Sequence, residues 1–168
     1  LRAAYPTVPL SVDTVRADVA EAALAEGAAV INDVSGLRLD PHLGEVVARA
    51  GAGLALMHSR GDVADMASYA HATYDDVVGD VVAELRQALE RADAAGIPAE
   101  RLVVDPGLGF GKTPEQNWRL VRELPALRCL GRPLLVGPSR KRFLGDATGR
   151  DVRDRDRATA ACCALAWG

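Results

Sequence analysis

Residues 102–113 form an apolar run that ends in an acid and continues as a glycine-rich loop, Leu-Val-Val-Asp-Pro-Gly-Leu-Gly-Phe-Gly-Lys-Thr. A short run of branched apolar residues bounded by polar and turn residues favours a buried strand. Thr113, Pro114 and Gln116 then predict a helix start, because hydroxyl and amide can cap each other's backbone and proline fits the first helical position. The stretch therefore predicts one strand–loop–helix unit of a β/α fold.

The same alternation extends along the whole chain. Four further runs rich in Val, Leu, Ile and Ala occupy residues 8–12, 28–33, 53–58 and 133–137. Their near-continuous apolarity is typical of parallel strands that are covered on both faces. Helical patterns separate the runs without a linker or a low-complexity stretch, so we predict a single β/α domain over residues 1–168.

Several helix boundaries can be predicted from local signals. Asp40 followed by Pro41 predicts a capped helix start. Residues 77–95 carry apolar side chains at helical spacing opposite a charged face, which predicts a scaffold helix packed on the outside of a sheet. Three glycines fall where helices should end, Gly27, Gly96 and Gly131.

Composition excludes several classes of protein. The 168 residues carry a formal net charge of −3 with interspersed acids and bases, which is not the basic footprint of a nucleic-acid-binding protein. We find no apolar run long enough to cross a bilayer and no signal-peptide pattern at the amino end. The cysteines at 129, 162 and 163 form no CxxC pair and fit a reducing compartment. We therefore expect a cytoplasmic protein.

Polar groups follow the predicted strands one after another, and their distribution separates two architectures. A doubly wound sheet concentrates its site at one switch point, whereas a barrel enzyme draws its chemistry from the carboxyl ends of several strands. The groups are Ser11, Asp13 and Thr14; Asn32 and Asp33; Met57, His58 and Arg60; Asp105; and Ser139, Arg140 and Lys141. This spread favours a (β/α)8 TIM barrel, which at about 250 residues would be incomplete here.

The glycine-rich loop does not match either common nucleotide motif. A P-loop needs glycine at the position that Pro106 occupies, and the dinucleotide fingerprint needs a G-x-G-x-x-G spacing that the glycines at 107, 109 and 111 do not have. What remains is a loop that could approach a flat ligand closely and present Phe110 to it.

Five ordered motifs together resemble dihydropteroate synthases. They are Ser-Val-Asp-Thr at 11–14, Ile-Asn-Asp-Val-Ser-Gly at 31–36, Leu-Met-His at 56–58, Asp-Pro-Gly at 105–107 with Gly-Phe-Gly-Lys at 109–112, and Ser-Arg-Lys at 139–141. They cover nearly the whole chain at about the family's spacing. The resemblance implies strands three to seven of the family's barrel, so that the first two strands and the last would be absent from this segment.

The resemblance also implies which residues hold the pterin. Asp105 matches the family's aspartate on the aminopyrimidine edge, where a carboxylate can accept from an amine and a ring N–H together. Asn32 matches a residue that both donates and accepts, and Asp13 matches a second carboxylate at the ring. Met57 corresponds to a soft apolar contact with the ring face.

For the second substrate, p-aminobenzoate, the resemblance implies the loop around Lys141, which contacts both substrates in the family. Ser139 and Arg140 would shape this loop, and Phe110 would pack against the aminobenzoate ring. The implied reaction replaces the diphosphate of 6-hydroxymethyl-7,8-dihydropterin diphosphate by the arylamine, giving 7,8-dihydropteroate for folate biosynthesis. Asp13 would stabilise a developing cation, and no side-chain nucleophile is required.

The resemblance further implies Mg²⁺ on the leaving group, a homodimer and sensitivity to sulfonamides, which this sequence alone leaves open. The family's magnesium-linked asparagine and its diphosphate-gripping Arg-x-His pair have no counterpart in residues 1–168, so we expect no metal ligand here and no activity from these residues alone. Where many members have serine after the loop lysine, this chain has Arg142; either this arginine or a backbone N–H could bind the aminobenzoate carboxylate.

Three alternatives stay open. A corrinoid methyltransferase that uses methyltetrahydrofolate holds its pterin with similar residues but would not be expected to carry the Ser-Arg-Lys loop. A non-catalytic paralogue would keep the fold without the chemistry. His58 could be structural or could carry a proton, and we do not expect it to bind a metal because only His42 and His71 accompany it as histidines.

Overall fold

The computed structural model describes residues 1–167 and contains one parallel sheet of four strands in the order β1-β2-β3-β4. The strands are β1 Ser11–Asp13, β2 Val30–Asp33, β3 Gly53–Met57 and β4 Leu102–Asp105. Neighbours in the sheet are also neighbours in the chain, and each crossover passes through at least one helix. All four strands therefore end at the same edge, which collects their last residues.

Six α-helices and three 3₁₀ segments connect and follow the strands. The α-helices are α1 Ala17–Ala25, α2 Leu43–Ala50, α3 Val77–Ala94, α4 Pro114–Arg122, α5 Arg142–Thr148 and α6 Asp156–Trp167. The 3₁₀ segments are Ala99–Arg101, Leu124–Leu130 and Val152–Asp154. None of the helices within residues 1–167 combines the length and the apolarity that a membrane crossing needs.

The fifth predicted strand is present only as a single bridge. Leu134 pairs in parallel with Val104, whose N–H donates to Pro133 O at 3.0 Å and whose carbonyl accepts from Leu135 N–H at 2.9 Å. The predicted parallel direction is thus correct. A regular strand does not form, since Pro133 has no N–H for a ladder and the segment has one sheet neighbour among residues 1–167.

Local boundary signals were mostly right. Thr113 and Gln116 form the predicted reciprocal capping box with Pro114 in the first turn of α4. The predicted start at Asp40 was wrong, because α2 begins at Leu43. The Asp40 carboxylate instead accepts from His42 N–H at 3.0 Å and from Ala17 N–H at 2.7 Å, so it joins the start of α2 to that of α1. Helical or 3₁₀ segments do end at the predicted glycines, Gly27, Gly96 and Gly131.

The core consists of two clusters that meet at α3. One packs Ile31, Leu54 and Leu56 of the sheet against α1, α2 and α3, and the other packs Val104 against α3, α4 and α5. The predicted apolar face of α3 is buried, with Leu85 only 1% exposed. Each such side chain contributes roughly 1.5–3 kcal/mol of burial free energy, so this packing fixes the strand ends that carry the polar residues.

Candidate active site

The ends of β1 and β2 bring Asp13 and Asn32 together. The two residues are paired in the parallel register, and the Asn32 amide nitrogen donates to the Asp13 carboxylate. The Asn32 side-chain oxygen Oδ1 is buried and has no hydrogen-bond partner within residues 1–167. A buried acceptor left without a donor costs about 1–3 kcal/mol, so this oxygen is an uncompensated polar atom at the edge.

The end of β4 presents Asp105 as a partly buried acid. One carboxylate oxygen accepts from Gly107 N–H at 2.7 Å. Burial raises the pKa of Asp105, against the lowering effects of that N–H and of Lys141. Met57 lies beside it in the register and is 4% exposed, which puts an apolar side chain next to the acid. The other carboxylate oxygen has no hydrogen bond within residues 1–167, and each carboxylate oxygen can accept more than one N–H.

The glycines of the loop after β4 make room for the protein's own atoms. A β-carbon on Gly107 would lie 2.0 Å from the carbonyl oxygen of His58, and one on Gly109 would lie 2.7 Å from Cδ of Lys141. Both glycines also have positive φ, 67° and 80°. The close approach predicted for a flat ligand at this loop is thus made, at these two positions, by neighbouring loops.

The lysine of the Ser-Arg-Lys loop reaches the aromatic residue of the glycine-rich loop. Lys141 Nζ lies 3.7 Å from the centroid of the Phe110 ring, within the range of a cation–π contact. Burial lowers the pKa of Lys141, and the charge of Asp105 opposes this. The structure therefore brings three of the predicted site residues, Asp105, Phe110 and Lys141, to one side of the glycine-rich loop.

The other two residues of this loop point elsewhere. Ser139 and Arg140 are exposed, and the Arg140 guanidinium binds Asp156 of α6 with an Nε–Oδ1 distance of 2.8 Å. The Arg140 N–H donates to Thr159 Oγ1 at 3.0 Å. Both contacts fasten the loop to α6. Arg142, the residue after the loop lysine, stacks on Tyr69 with its guanidinium carbon 3.8 Å from the ring centroid.

Four polar residues that the site prediction did not include lie directly behind the loop. Lys112 and Asn117 are each 1% exposed, and Lys112 Nζ lies 2.9 Å from His58 Nδ1. The other ring nitrogen of His58 lies 3.0 Å from Glu84 Oε2. A sequence signal existed for Lys112, since only it and Lys141 are lysines in this arginine-rich chain. Nothing in the sequence indicated that Glu84, on the scaffold helix α3, faces this group.

Asn117 holds the loop through both ends of its amide. Its carbonyl oxygen accepts from Gly109 N–H at 2.6 Å, and its nitrogen donates to Lys112 O at 3.1 Å and Thr113 O at 2.8 Å. Because α4 begins at the capping box and presents Asn117 one turn later, the helix start positions the loop that precedes it. All of these partners are backbone groups, so the loop conformation rather than a ligand is what this residue serves.

The chemistry available at this edge is recognition and electrostatics. Asp13, Asn32 and Asp105 supply acceptors and a donor, while Lys141 supplies a cation next to an aromatic ring. No group of three or more His, Cys, Asp or Glu side chains within residues 1–167 is arranged to hold a metal ion. Residues 1–167 therefore offer no cluster of protein ligands that would hold Mg²⁺ without substrate oxygens.

Comparison with known proteins identifies the family. A family model described as pterin binding enzyme matches residues 1–168. The chain is 46% identical over 172 residues to a dihydropteroate synthase of Mycobacterium leprae, a match that covers 96% of this chain and 60% of that protein. The dihydropteroate synthase structure from Stenotrophomonas maltophilia matches with a TM-score of 0.92 at 41% identity, covering 98% of this chain and 61% of that one.

A second solved structure, dihydropteroate synthase from Thermus thermophilus in complex with 6HMPPP, matches with a TM-score of 0.90 at 43% identity and covers 98% of this chain and 64% of that one. The chain thus spans about 60% of the length of the relatives it matches. These relatives are TIM barrels, which confirms that the parallel sheet and its helices are part of a (β/α)8 barrel rather than a doubly wound sheet. With a family model that spans the whole chain, this protein belongs to the pterin-binding enzymes, the family of the dihydropteroate synthases.

Proposed function

We propose that the complete polypeptide containing this chain is a dihydropteroate synthase. It would condense 6-hydroxymethyl-7,8-dihydropterin diphosphate with p-aminobenzoate to give 7,8-dihydropteroate and diphosphate. The observation that carries the proposal is the convergence at one edge of Asp105, which keeps a free carboxylate oxygen, with the cation of Lys141 over Phe110. Relatives support it: a dihydropteroate synthase from Xanthomonas albilineans has been solved in complex with 7,8-dihydropteroate.

The pterin would bind between Asp105 and the pair of Asp13 and Asn32. A carboxylate that accepts from an exocyclic amine and a ring N–H recognises the aminopyrimidine edge in a bidentate way. The buried, unpartnered side-chain oxygen Oδ1 of Asn32 is an acceptor within residues 1–167 that another N–H of the ring can satisfy. Met57, buried beside Asp105, would supply the apolar contact to the ring face.

The reaction would proceed through departure of the diphosphate before attack. The bond between the pterin methylene carbon and its oxygen breaks, and both electrons leave with the diphosphate. Asp13, whose carboxylate is oriented by Asn32, would stabilise the cation that develops. The neutral arylamine then forms the new carbon–nitrogen bond and loses a proton to solvent, so no nucleophilic side chain is needed.

The p-aminobenzoate would bind on the Phe110 side of the loop. Its ring can stack on Phe110, and Lys141 can contact both substrates from its place above that ring. Ser139 and Arg140 would act through the loop, since Arg140 binds Asp156 of α6. The stack of Arg142 on Tyr69 leaves the aminobenzoate carboxylate to other donors of this loop.

We also propose Mg²⁺, a homodimer and a cytoplasmic location for the complete protein. Diphosphate oxygens are the hard ligands that Mg²⁺ prefers, so the ion would arrive mainly with the substrate. Leu165 and Trp167 of α6 are 65% and 92% exposed and offer an apolar contact for a second copy. The three cysteines are free thiols, as a reducing compartment allows.

The test is dihydropteroate formation by the complete natural polypeptide. We expect Asp105→Asn to lower kcat/KM for the pterin diphosphate about 100-fold, because a bidentate carboxylate contact is lost. Asp146→Asn, an exposed acid on α5, is the matched control and should leave the rate unchanged. A folded wild-type protein that binds methyltetrahydrofolate and makes no dihydropteroate would contradict the proposal in favour of the methyltransferase. One that binds no pterin would favour a paralogue without chemistry.

A further inference from the structure

Lys112 is a buried cation whose partners are all uncharged atoms. Its ammonium donates to the carbonyl oxygens of Gly107 and Phe110, both at 3.0 Å, and to His58 Nδ1 at 2.9 Å. The side chain is 1% exposed. Removing an ammonium from water costs several kcal/mol, and uncharged acceptors return only part of it. Such a group is expensive as mere packing, because a methionine would fill the same space without that cost.

The direction of the hydrogen bonds behind Lys112 is fixed. Since Lys112 donates to Nδ1 of His58, the ring carries its proton on Nε2 and donates to Glu84 Oε2 at 3.0 Å. The other oxygen of Glu84 accepts from Arg60 Nε at 2.9 Å. Burial, and then the charge of Lys112, lowers the pKa of His58 to about 4, so the ring is neutral as this order requires. We call Lys112, His58, Glu84 and Arg60 the lysine relay.

The lysine relay ends on the turn that carries Phe110. The N–H of Phe110 donates to Gly107 O at 3.1 Å, and Lys112 binds the carbonyl oxygens of both residues. The N–H of Gly107 in turn donates to the Asp105 carboxylate at 2.7 Å. One ammonium therefore connects the residue that would bind the pterin with the residue that would bind the aminobenzoate.

We propose that Lys112 is a positioning residue for the transfer reaction, which holds Asp105 and Phe110 at a fixed separation through the carbonyl groups of Gly107 and Phe110. His58, Glu84 and Arg60 hold Lys112 in turn. Lys112 does not touch substrate in this arrangement, so its effect reaches the reacting atoms through the turn. The proposal rests on the proposed dihydropteroate synthase activity for its kinetic consequences, and on the structure alone for the conformation of the turn.

The proposal carries a pH dependence. The charged and titratable groups around Lys112 are His58, Asp105, Glu84, Arg60 and Lys141. Burial lowers the pKa of Lys112 to about 7, while Asp105 and Glu84 oppose this. A neutral amine has two N–H groups for three acceptors, so the turn loses one support as the pH rises through this value. We expect kcat/KM to fall on the alkaline side of it.

The decisive variant is Lys112→Met in the complete natural polypeptide, because it keeps the unbranched stem and removes the donors. We expect KM for both substrates to rise and kcat/KM to fall about 100-fold, as for a misplaced reacting group. The fall of kcat/KM at alkaline pH, which we call the alkaline limb, should vanish. Hydrogen exchange of the backbone amides at 107–112 should become faster. Arg101→Met is the matched control, since that guanidinium also binds a glycine carbonyl, of Gly51, but lies at the opposite edge of the sheet.

Two results would overturn the proposal: wild-type kinetics in a folded Lys112→Met protein, or unchanged amide exchange at 107–112 with only global stability lowered. Should that variant not fold, Glu84→Gln decides, because it removes a charge that raises the pKa of Lys112 while the amide oxygen can still accept from His58 Nε2. Glu84→Gln should move the alkaline fall of kcat/KM to lower pH. A fall at the same pH as in the wild type would contradict the proposal. Absence of dihydropteroate formation by the wild type would refute the proposed activity instead, and the amide exchange would still test Lys112.

Discussion

The carboxyl ends of β1 and β2 differ from those of β3 and β4 in how their polar groups are satisfied. At the first pair, Asn32 donates to an exposed Asp13 and leaves its own side-chain oxygen Oδ1 buried without a partner within residues 1–167. At the second pair, Lys112 and Asn117 satisfy their polar atoms on the backbone of one loop and on His58. The first region keeps an acceptor without a partner, whereas most polar groups of the second are held by the protein itself and Asp105 keeps one carboxylate oxygen free of them. The end of β4 thus combines a proposed pterin contact with the groups that hold its loop.

The largest change in the free energy of unfolding should come from the loop after β4, which Asn117 holds. Asn117→Leu keeps the volume and leaves Gly109 N–H, Lys112 O and Thr113 O without their partner. We expect the free energy of unfolding to fall by about 4 kcal/mol, since buried groups that lose their bonds are costly. Urea denaturation of the complete polypeptide measures it. A loss below about 1 kcal/mol would mean that the loop is not held through this amide.

Acid should lower the stability of the folded protein through His58, which lies behind the loop after β4. Burial first, and then Lys112, lowers the pKa of His58 from 6.5 to about 4, so between these values the unfolded chain binds a proton that the folded chain does not. The free energy of unfolding should therefore fall by about 3 kcal/mol as the pH falls through this window. Burial raises the pKa of Glu84, but hydrogen bonds to His58 and Arg60 bring it to about 2, which adds a loss below pH 4.5.

Urea denaturation at pH 7 and pH 4 would show this dependence in the wild type. His58→Gln should lose the part of this pH dependence that arises from protonation of the imidazole. His71→Gln is the control, because that ring is partly exposed and binds Asp65 outside the lysine relay. Equal pH dependence in all three proteins would show that His58 is not held neutral by its surroundings.

At the ends of β1 and β2, a substitution should affect activity much more than stability. Asn32→Ala removes an acceptor that has no partner among residues 1–167, so we expect less than about 1 kcal/mol of lost stability. Dihydropteroate formation should nevertheless fall about 100-fold, because an edge of the pterin loses its partner and Asp13 loses its orientation. Parallel kinetics and denaturation on the same preparation separate the two effects. A large stability loss with unchanged kinetics would reverse the comparison.

The smallest effect on catalysis should come from the contact between the glycine-rich loop and the loop of Lys141. Gly109→Ala places a β-carbon against Lys141 Cδ, in addition to the strain of a φ of 80°. Gly131→Ala is the matched control, because its φ is 63° and a β-carbon there meets no atom within 4 Å. We expect about 1 kcal/mol of lost stability from the control and about 2 from Gly109→Ala. Only Gly109→Ala should raise KM for p-aminobenzoate, since it displaces Lys141 from Phe110.

The sequence by itself determined the parallel β/α order and the residues that mark the strand ends, because runs of apolar residues and capping signals act over a few neighbours. It also predicted a parallel strand at 133–137, where one parallel bridge to β4 forms instead. The helix predicted to start at Asp40 begins at Leu43, and the contact of the Asp40 carboxylate with Ala17 of α1 is one that no local rule contains.

Tertiary structure alone decided what lies behind the strand ends. Glu84 is 26 residues from His58, and Lys112 is 54 residues from it, so their contacts depend on how α3 and the loop after β4 pack on the sheet. Packing likewise turned Arg140 toward α6 and Arg142 toward Tyr69, though both are neighbours of Lys141 in sequence. Strand-end chemistry is visible in the order of residues, whereas the groups that orient it are brought together only by the three-dimensional fold.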